Sequence, residues 1–280
     1  MWIGRAGTTR APLTTGAYFD PRISPDGTEV AVECSHSGTS SDVWLIDATS
    51  GAGERFTTAP GLNRMPLWSP DSRTILYASN RTGRYELYSK QLGGSQQETP
   101  LATDPRVLLK WPTDWNATQG TIAYTVFDPR TGYDVWLRTA PDQNVGALTT
   151  QWNEAAARLS PDGAWLAYQS DESGAWEVYC QRTSGGPAFR VSRGGGVNPC
   201  WNPRRKELFF RTPAGDVMSA PMAPRDSSAP ARALFREPNL VSYDVDRSGT
   251  RFLCSMEVAG SVPDQLTVIL NWTEWMNANR

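Results

Sequence analysis

Catalysis by a histidine-activated nucleophile would rest on one side chain, because His36 is the only histidine among the 280 residues. His36 lies in the polar segment 35–41, and we interpret it as a solvated loop residue. No GxSxG motif offers a nucleophile elbow, and no Gly-rich phosphate loop, HRD or DFG motif offers the parts of a kinase. We therefore predict that the chain is not an enzyme and holds no cofactor.

The cysteines do not form a metal-binding pattern. Cys34, Cys180, Cys200 and Cys254 are scattered, and no CxxC pair is present, which argues against a zinc site. Each lies within or beside an apolar run, where a cysteine behaves as a small hydrophobic residue. We predict buried free thiols. Disulfide bonds stay open as an alternative, and so does the cellular compartment.

Polar and aromatic side chains recur in the segments that join successive repeats of the chain, and these could bind a ligand. The glycine run 194–196 would let one such segment approach a ligand closely. Charges of both signs beside aromatic anchors favour a binding surface for a peptide or small molecule. The alternative is a solvated rim without a specific ligand. The candidate binding residues are Tyr18, Asp20, Asn63, Arg64, Lys110, Trp152, Asn153, Glu154, Asn198 and Tyr243.

A repeated turn motif positions these segments. Ser160-Pro161-Asp162-Gly163 has an identical copy at 24–27, a copy with one change at 69–72, and looser copies at 116–120, 202–205 and 246–249. Pro presets φ, Asp accepts local backbone hydrogen bonds, and Gly takes the left-handed position, so each copy predicts a tight turn between two strands. The spacing of about 45 residues is typical of a propeller or another repeat array.

Four short strands, a to d, can be laid out in each repeat. Around Ser160 they are 156–159, 165–169, 176–181 and 188–192, rich in aromatic and β-branched residues and separated by Gly, Ser and Asp. Four strands in about 45 residues make one propeller blade. We predict an all-β, six-bladed β-propeller spanning 1–280 as a single domain. The predicted blades are 16–60, 61–105, 106–151, 152–196, 197–240, and 241–271 completed by 1–15.

The two ends of the chain predict how the ring closes. Residues 2–6 and 10–13 have the pattern of strands c and d of a blade that lacks its own a and b strands. The last repeat supplies a b strand at 251–255 and a strong apolar strand at 266–270. We expect N-terminal and C-terminal strands to pair in one blade, with the outermost strand left undecided.

Two further sets of repeated residues are predicted to be structural. A carboxylate precedes each strand c, and we expect it to accept hydrogen bonds from its own b–c loop or from the next blade. Tryptophans recur at strand positions, and we expect them to pack between blades. The carboxylates are Asp42, Glu86, Asp134, Glu177 and Asp216, and the tryptophans are Trp44, Trp68, Trp115, Trp136, Trp165 and Trp201.

The turns, with loops such as 79–83 and strands such as 85–88, resemble the WD40-like (PD40) repeats of TolB-type propellers. Asn153-Glu154 with 159–163, 165–168 and 172–179 resembles the propeller fused behind bacterial eukaryotic-like Ser/Thr protein kinases. The start of the chain and the ending 266–272 are similar to the same group. The third turn is longer than its siblings, and the fifth, Asn202-Pro203-Arg204-Arg205, has lost its Asp and Gly. Both changes indicate local loop differences.

The resemblance implies a non-catalytic sensor or interaction domain that acts with an effector, such as a bacterial kinase. An alternative is a metal-dependent, lactonase-like hydrolase. Propellers of that type hold a divalent cation in the channel through Glu, Asn and Asp oxygens, which suits calcium. Asn63, Asn153, Glu154 and Asn198 could form a similar set.

Composition narrows the choice of partners. A net charge of -2 gives no reason to expect a nucleic acid or an anionic membrane. No apolar run approaches the roughly 18 residues that a membrane span needs, and no leader peptide is visible at the start. We predict a protein, peptide or small ligand as partner, and a monomer, because a closed ring leaves no sheet edge to cover.

Overall fold

The structure, a computed structural model, describes residues 1–257 except 10–11, 95–96, 102–106, 108, 142, 224–226 and 229. Within these residues no helix is long and apolar enough to cross a membrane. The predicted strand 266–270 lies outside the described residues.

The secondary structure consists of β-strands. They are β1 (Trp2–Gly4), β2 (Tyr18–Ile23), β3 (Glu29–Ser37), β4 (Ser40–Asp47), β5 (Gly53–Arg55), β6 (Asn63–Trp68), β7 (Thr74–Ser79), β8 (Glu86–Gln91), β9 (Thr99–Pro100), β10 (Leu109–Trp115), β11 (Ile122–Asp128), β12 (Gly132–Ala140), β13 (Gln143–Leu148), β14 (Glu154–Leu159), β15 (Trp165–Ser170), β16 (Glu177–Arg182), β17 (Phe189–Arg190), β18 (Val197–Trp201), β19 (Glu207–Arg211), β20 (Asp216–Ala223), β21 (Ser227–Ser228), β22 (Arg232–Arg236), β23 (Leu240–Val245) and β24 (Arg251–Met256).

These strands form six antiparallel sheets, which are the blades of a β-propeller, and the predicted fold is confirmed. Blades 1 to 4 are the sheets β2–β5, β6–β9, β10–β13 and β14–β17, each ordered as in the chain. Blade 5 is β18, β19 and β20, with both β21 and β22 paired to β20. The first strand of each blade lies innermost, so six inner strands surround the central channel.

The repeated turns join each inner strand to its neighbour, as predicted. In blade 4 the N–H of Gly163 donates to the carbonyl of Ser160 at 2.8 Å, and Gly163 has φ +72°. The third turn spans 116–121 and is one residue longer than the fourth, 160–164. The fifth turn keeps its hairpin without Asp and Gly, because the side chain of Asn202 accepts a hydrogen bond from the Arg204 N–H at 3.0 Å. These are local differences within one fold.

The ring closes through pairing of the chain's two ends. Sheet order in blade 6 is β1–β24–β23, with Trp2 opposite Leu253 and Ile3 opposite Phe252. Thr9 forms an isolated bridge to Ile3. Of the predicted strand 10–13, residues 12–13 are not in a strand, and residues 10–11 lie outside the described part. The N-terminal strand therefore completes the last blade, as predicted.

Apolar side chains pack between adjacent blades. One buried cluster joins Val43 and Leu45 of blade 1 to Trp68 and Tyr77 of blade 2. The indole N–H of Trp68 also donates to the carbonyl of Arg22 in blade 1 at 2.9 Å. In the same way Trp201 of blade 5 donates to a carbonyl of blade 4 at 3.0 Å. Trp68 and Trp201 thus hold neighbouring inner strands together, and the predicted packing role is confirmed for these two.

The carboxylates before each strand c hold loops or the next blade, as predicted, except that Glu177 binds the d–a segment 191–196 in place of its b–c loop. Asp42 accepts hydrogen bonds from the Thr57 hydroxyl at 3.0 Å and from the Asn63 amide at 3.4 Å. Glu86 pairs with Lys110 of the next blade at 2.7 Å. Glu177 accepts the N–H groups of Gly194 and Gly195. Asp134 and Asp216 bind hydroxyls of their own b–c loops.

The junction of blades 3 and 4 breaks this pattern. Asn63 and Lys110 stand six residues before the first residue of their turns, and Glu154 stands at the same place in blade 4. The neighbouring carboxylate there is Asp134, so an acid faces an acid. Both are buried, at 3% and 2% exposed, and Oδ1 of Asp134 and Oε2 of Glu154 have no hydrogen-bond partner. Burial raises the pKa of Glu154 to about 7.

Replacing the buried closing residue should loosen the ring. Ile3 is fully buried and packs with Phe209 of blade 5 and Phe252 of blade 6. We expect Ile3→Ala to lower the free energy of unfolding by about 2–4 kcal/mol, because it removes buried methyl groups and leaves a cavity. Urea denaturation would measure the loss. Val145→Ala, at a 56% exposed position, is the control. Equal stability of the two variants would contradict a structural role for closure.

Neutralising Glu154 should change how stability depends on pH. A folded pKa of about 7 against an ordinary 4.5 means that the folded state holds this proton longer than the unfolded state. Its stabilising effect is complete below about pH 4.5 and is lost as the pH rises to about 7. Glu154→Gln removes this loss, so the variant should gain roughly 2 kcal/mol over the native chain between about pH 5 and pH 8.

Urea midpoints at the two pH values test this expectation. Glu54→Gln, on the exposed strand β5, is the matched control and should follow the native pH profile. If the stability of Glu154→Gln has the same pH dependence as that of the native chain, the pairing of Asp134 with Glu154 does not make stability depend on pH.

Candidate functional site

The central channel contains a cavity of about 400 Å³. Its wall is built mainly from the inner strands, with contributions from the b–c side of blades 3 and 4. The lining residues are Asp20, Pro21, Arg22, Met65, Trp111, Pro112, Thr113, Thr125, Tyr133, Ala155, Ala156, Arg158, Gln169, Trp176, Asn198, Pro199, Cys200, Ser242 and Tyr243.

A repeated backbone irregularity aims side chains into this cavity. Asp20, Met65, Ala156 and Asn198 all have positive φ, between 47° and 53°, and each stands four residues before the first residue of its turn. The register of the inner strand shifts at each of these places. A bulge bends a strand and redirects its side chains, and non-glycine residues in this conformation are strained. The same device thus shapes the channel in four of the six blades.

Aromatic rings form the wall on the side of blades 3 and 4. The rings of Trp111 and Tyr133 lie 5.7 Å apart at 50°, and Tyr85 lies 6.4 Å from Trp111. Trp176, directly before β16, also lines the cavity. Because Tyr133 and Trp176 belong to the b–c side of their blades, this wall lies toward the mouth formed by the b–c and d–a loops.

Charged groups lie deeper, near the turn end of the inner strands. Arg22 and Arg158 stand two residues before their turns and line the cavity. Asp114, at the same position in blade 3, accepts the Leu159 N–H at 2.7 Å and lies 3.6 Å from the Arg158 guanidinium. Asp244 of blade 6 accepts the Ile23 N–H at 2.9 Å. Each acid therefore joins its own inner strand to the next blade.

Burial is the main influence on the pKa values of the ionisable groups at this depth. Burial raises the pKa of Asp114 to about 6, against hydrogen bonds and Arg22, which lower it. Burial also raises the pKa of Asp244, which Arg22 opposes in the same way. Burial raises the pKa of the Cys200 thiol well above its usual value. A thiol held protonated in this way is a poor nucleophile.

Three of the predicted binding residues line the cavity: Asp20, Asn198 and Tyr243. The Asp20 N–H donates to Ser242 Oγ at 3.1 Å, and the Tyr243 hydroxyl donates to the Asn198 carbonyl at 2.8 Å. Burial raises the pKa of Asp20, while Arg22 and Arg64 lower it. These contacts join blade 1 to blade 6 and blade 5 to blade 6, so the two ends of the chain meet in the cavity wall.

Three others lie at blade junctions, away from the channel surface. Asn63 and Lys110 are 0% exposed, and Glu154 is 2% exposed. The Asn63 amide donates to the Ala59 carbonyl at 2.8 Å, and the Lys110 ammonium donates to the Val107 carbonyl at 2.8 Å. Their hydrogen bonds serve the d–a loops. They are therefore packing residues of the junctions and do not face the channel, so reversing the charge of Lys110 or Glu154 would disrupt packing.

The remaining four predicted residues are dispersed. Arg64 pairs with buried Glu33 at 3.0 Å, and burial raises the pKa of that carboxyl to about 7. Asn153 accepts the Tyr133 N–H at 3.0 Å and donates to Asp171 at 2.7 Å. Trp152 is 41% exposed, and Tyr18 lines a separate cavity of about 150 Å³ between blades 1 and 6.

The four residues considered as calcium ligands do not come together in one site. Of the four oxygen-bearing residues considered for it, Asn198 alone lines the channel cavity, and Asn63, Asn153 and Glu154 bind loops at three different places. No group of three or more His, Cys, Asp or Glu suited to a metal ion occurs among the described residues.

The histidine and the cysteines have ordinary surroundings. His36 lies near the end of strand β3 and not in the predicted loop; its side chain is exposed, and its Nε2 lies 3.1 Å from Asp42 Oδ2. The four cysteines are free, as predicted. Cys180, Cys200 and Cys254 are buried, whereas Cys34 is half-buried.

Several lining residues were not among the predicted ones, above all Arg22, Trp111, Thr113, Arg158 and Trp176. The turn motif could have located most of them, because positions along each inner strand can be numbered by their distance from the turn. Arg22 and Arg158 share the position two before the turn, and Trp111 stands five before it. Predicting which of these positions faces the channel requires knowledge of the bulge, and a bulge has no strong local sequence signal.

Fold and site together define a class: a six-bladed β-propeller with a ligand-sized cavity in its channel. Residues 8–125 match the family model described as PD40, TolB beta propeller domain. An uncharacterized protein of Agrobacterium fabrum is 35% identical over 75 residues, covering 27% of this chain and 25% of that protein. The Tol-Pal system protein TolB of Wolinella succinogenes is 23% identical over 154 residues, covering 52% of this chain and 35% of that protein.

Among solved structures, a putative TolB from Agrobacterium tumefaciens superposes with a TM-score of 0.65 at 16% identity, covering 79% of this chain and 82% of that one. A likeness at that identity shows the fold alone. The chain spans 25% and 35% of the length of the two curated relatives.

Proposed function

We propose that this propeller is a non-catalytic binding domain that takes a peptide, part of a protein partner or a small ligand into its channel cavity. The observation that supports this is the cavity itself. About 400 Å³ lies within the range of ligand pockets, and its lining combines aromatic rings with a few polar groups, as such pockets do.

The supporting scaffold is stiff. Side chains on the inner strands bond to neighbouring blades, and all six inner strands contribute to the cavity wall. The bonding side chains are Trp68, Trp201, Asp114 and Asp244. A preformed wall loses little conformational freedom when a ligand binds. Binding by a ready surface, without a change of fold, is therefore the mechanism we infer.

The bound state would be reported to an effector, tethered or separate. The resemblance of the fourth repeat to propellers fused behind bacterial Ser/Thr protein kinases favours an effector of that kind. We further propose a monomer, with neither a nucleic acid nor a membrane as partner.

Filling the cavity should abolish binding without unfolding the ring. Ala155 lines the cavity five residues before its turn, and blade 3 has Trp111 at the equivalent position. Ala155→Trp therefore introduces a ring that this backbone position accepts elsewhere in the same chain. We expect at least a tenfold loss of affinity for any channel ligand, because the added ring occupies the space the ligand needs.

The measurement is a thermal-shift screen of metabolites and short peptides, followed by calorimetric titration of each hit. Val145→Trp, on the exposed outer strand β13 of blade 3, is the matched control. Hits that bind the native chain and the control, and fail with Ala155→Trp, support the proposal. Hits that bind all three proteins equally would exclude the channel as the site.

A further inference from the structure

Two hydrogen-bonding groups in the cavity wall have no partner within the protein. Thr113 is 8% exposed, lines the cavity, and its hydroxyl makes no hydrogen bond. Nη1 of Arg22, which lines the same cavity, is also buried and without a partner. A buried polar group left unsatisfied is costly, so each such group needs an explanation. Both can donate a hydrogen bond, and a ligand acceptor would satisfy both.

The charges of the wall favour an anionic acceptor. Among the described lining residues there are two guanidinium groups, of Arg22 and Arg158, and one carboxylate, of Asp20. Asp114 and Asp244 are not part of the lining and are engaged with backbone N–H groups of neighbouring blades. These two carboxylates act as counter-ions to the arginines from outside the cavity lining. The surface that a ligand meets is thus more positive than negative.

Above this floor the wall is apolar on the side of blades 2 to 4, whereas Asp20, Asn198 and Ser242 line the same level in blades 1, 5 and 6. Trp111, Tyr133 and Trp176 line it toward the mouth, together with Met65 and Pro112. A ligand that reaches the two arginines must therefore pass rings that favour a flat or apolar body. On the side of blades 2 to 4 the wall is apolar near the mouth and the arginines lie deeper, and this order sets the orientation of the ligand.

We propose that the cavity binds the carboxylate end of an apolar chain, with Arg22 and Thr113 donating to the carboxylate and the aromatic wall enclosing the apolar part. This inference rests on the proposed function and names the ligand chemistry of the same site. Arginine is suited to the role because its planar fork matches a carboxylate. Two sources share this chemistry: a free aromatic or aliphatic acid, and the C-terminus of a peptide with an apolar last residue.

Titration calorimetry with paired probes tests the inference. One pair is 3-phenylpropionate and 3-phenylpropionamide, and the other is Ala-Ala-Phe with a free and with an amidated C-terminus. We expect at least one acid to bind about tenfold more tightly than its amide, because the amide lacks the charge that the guanidinium attracts. The pair that shows the difference identifies the source, free acid or peptide end.

Two variants locate the contact. Thr113→Val keeps the shape of the side chain and removes its hydroxyl, so it should weaken the acid about fivefold and leave the amide unchanged. Arg22→Gln should abolish the preference for the acid. Circular dichroism and urea midpoints check its folding, and Thr113→Val keeps the test decisive if Arg22→Gln unfolds. Thr139→Val, on β12 outside the cavity lining, is the matched control.

The outcomes separate the two proposals. If acid and amide bind equally and Ala155→Trp abolishes both, the channel is a binding site and the carboxylate inference is overturned. If no acid probe binds at millimolar concentration, the inference is overturned as well, while hits of other chemistry in the ligand screen would keep the channel proposal. Acid binding that resists both Thr113→Val and Arg22→Gln would refute the assigned contacts.

Discussion

The pairing of β1 with β24 is the contact on which the rest of the molecule depends. In this ring the last blade is completed by the other end of the chain, because β1 pairs with β24 beside β23. Here the main-chain nitrogen of Met1 also donates to the Cys254 carbonyl at 2.6 Å, and Arg5 pairs with Glu207 of blade 5. Closure places β2 beside β23, and Ser242 and Asp244 then accept N–H groups of β2. The cavity wall is continuous because the ring is closed.

Within the closed ring, the bulges decide which side chains the channel receives. An unbroken strand alternates its side chains between two faces, so a residue count alone would assign alternate positions to the cavity. The extra residue at each bulge interrupts that alternation, and residues as different as Asp20, Met65 and Ala156 adopt the same strained conformation. Strain at one repeated position, regardless of side chain, indicates that the architecture imposes it. The channel surface is therefore a property of the ring more than of any single blade.

The period and the turn chemistry were sufficient to predict the fold, the strand order and the closure. They act locally, through Pro, Asp and Gly at fixed places, and each blade repeats them. The candidate site was predicted less well. Lys110 and Glu154 looked like solvated residues of polar segments, yet each is buried beneath the b–c side of the preceding blade. The partner of Lys110, Glu86, lies 24 residues earlier in the chain. Both positions recur in the repeat, but recurrence alone does not show whether a side chain lies at a blade junction or at the mouth, because the two fates differ only in contacts with the next blade.

The residues that hold the blades together and the residues that line the cavity stand mostly at different positions of the repeat. The turn, the position six before it and the tryptophan one before it make contacts within and between blades, and their variants are alternative solutions to one packing problem. Asn63 and Lys110 both satisfy the carboxylate of the preceding blade, although one is neutral and the other charged. Positions four and two before the turn carry unrelated side chains, from Asp20 and Met65 to Arg158 and Cys200. Position four faces the cavity in all six blades and position two in three of them, so the side chains there can differ without breaking the junctions. At position two of blades 3 and 6, Asp114 and Asp244 join neighbouring blades instead. A repeat of this kind can keep one ring while its channel acquires new ligand chemistry.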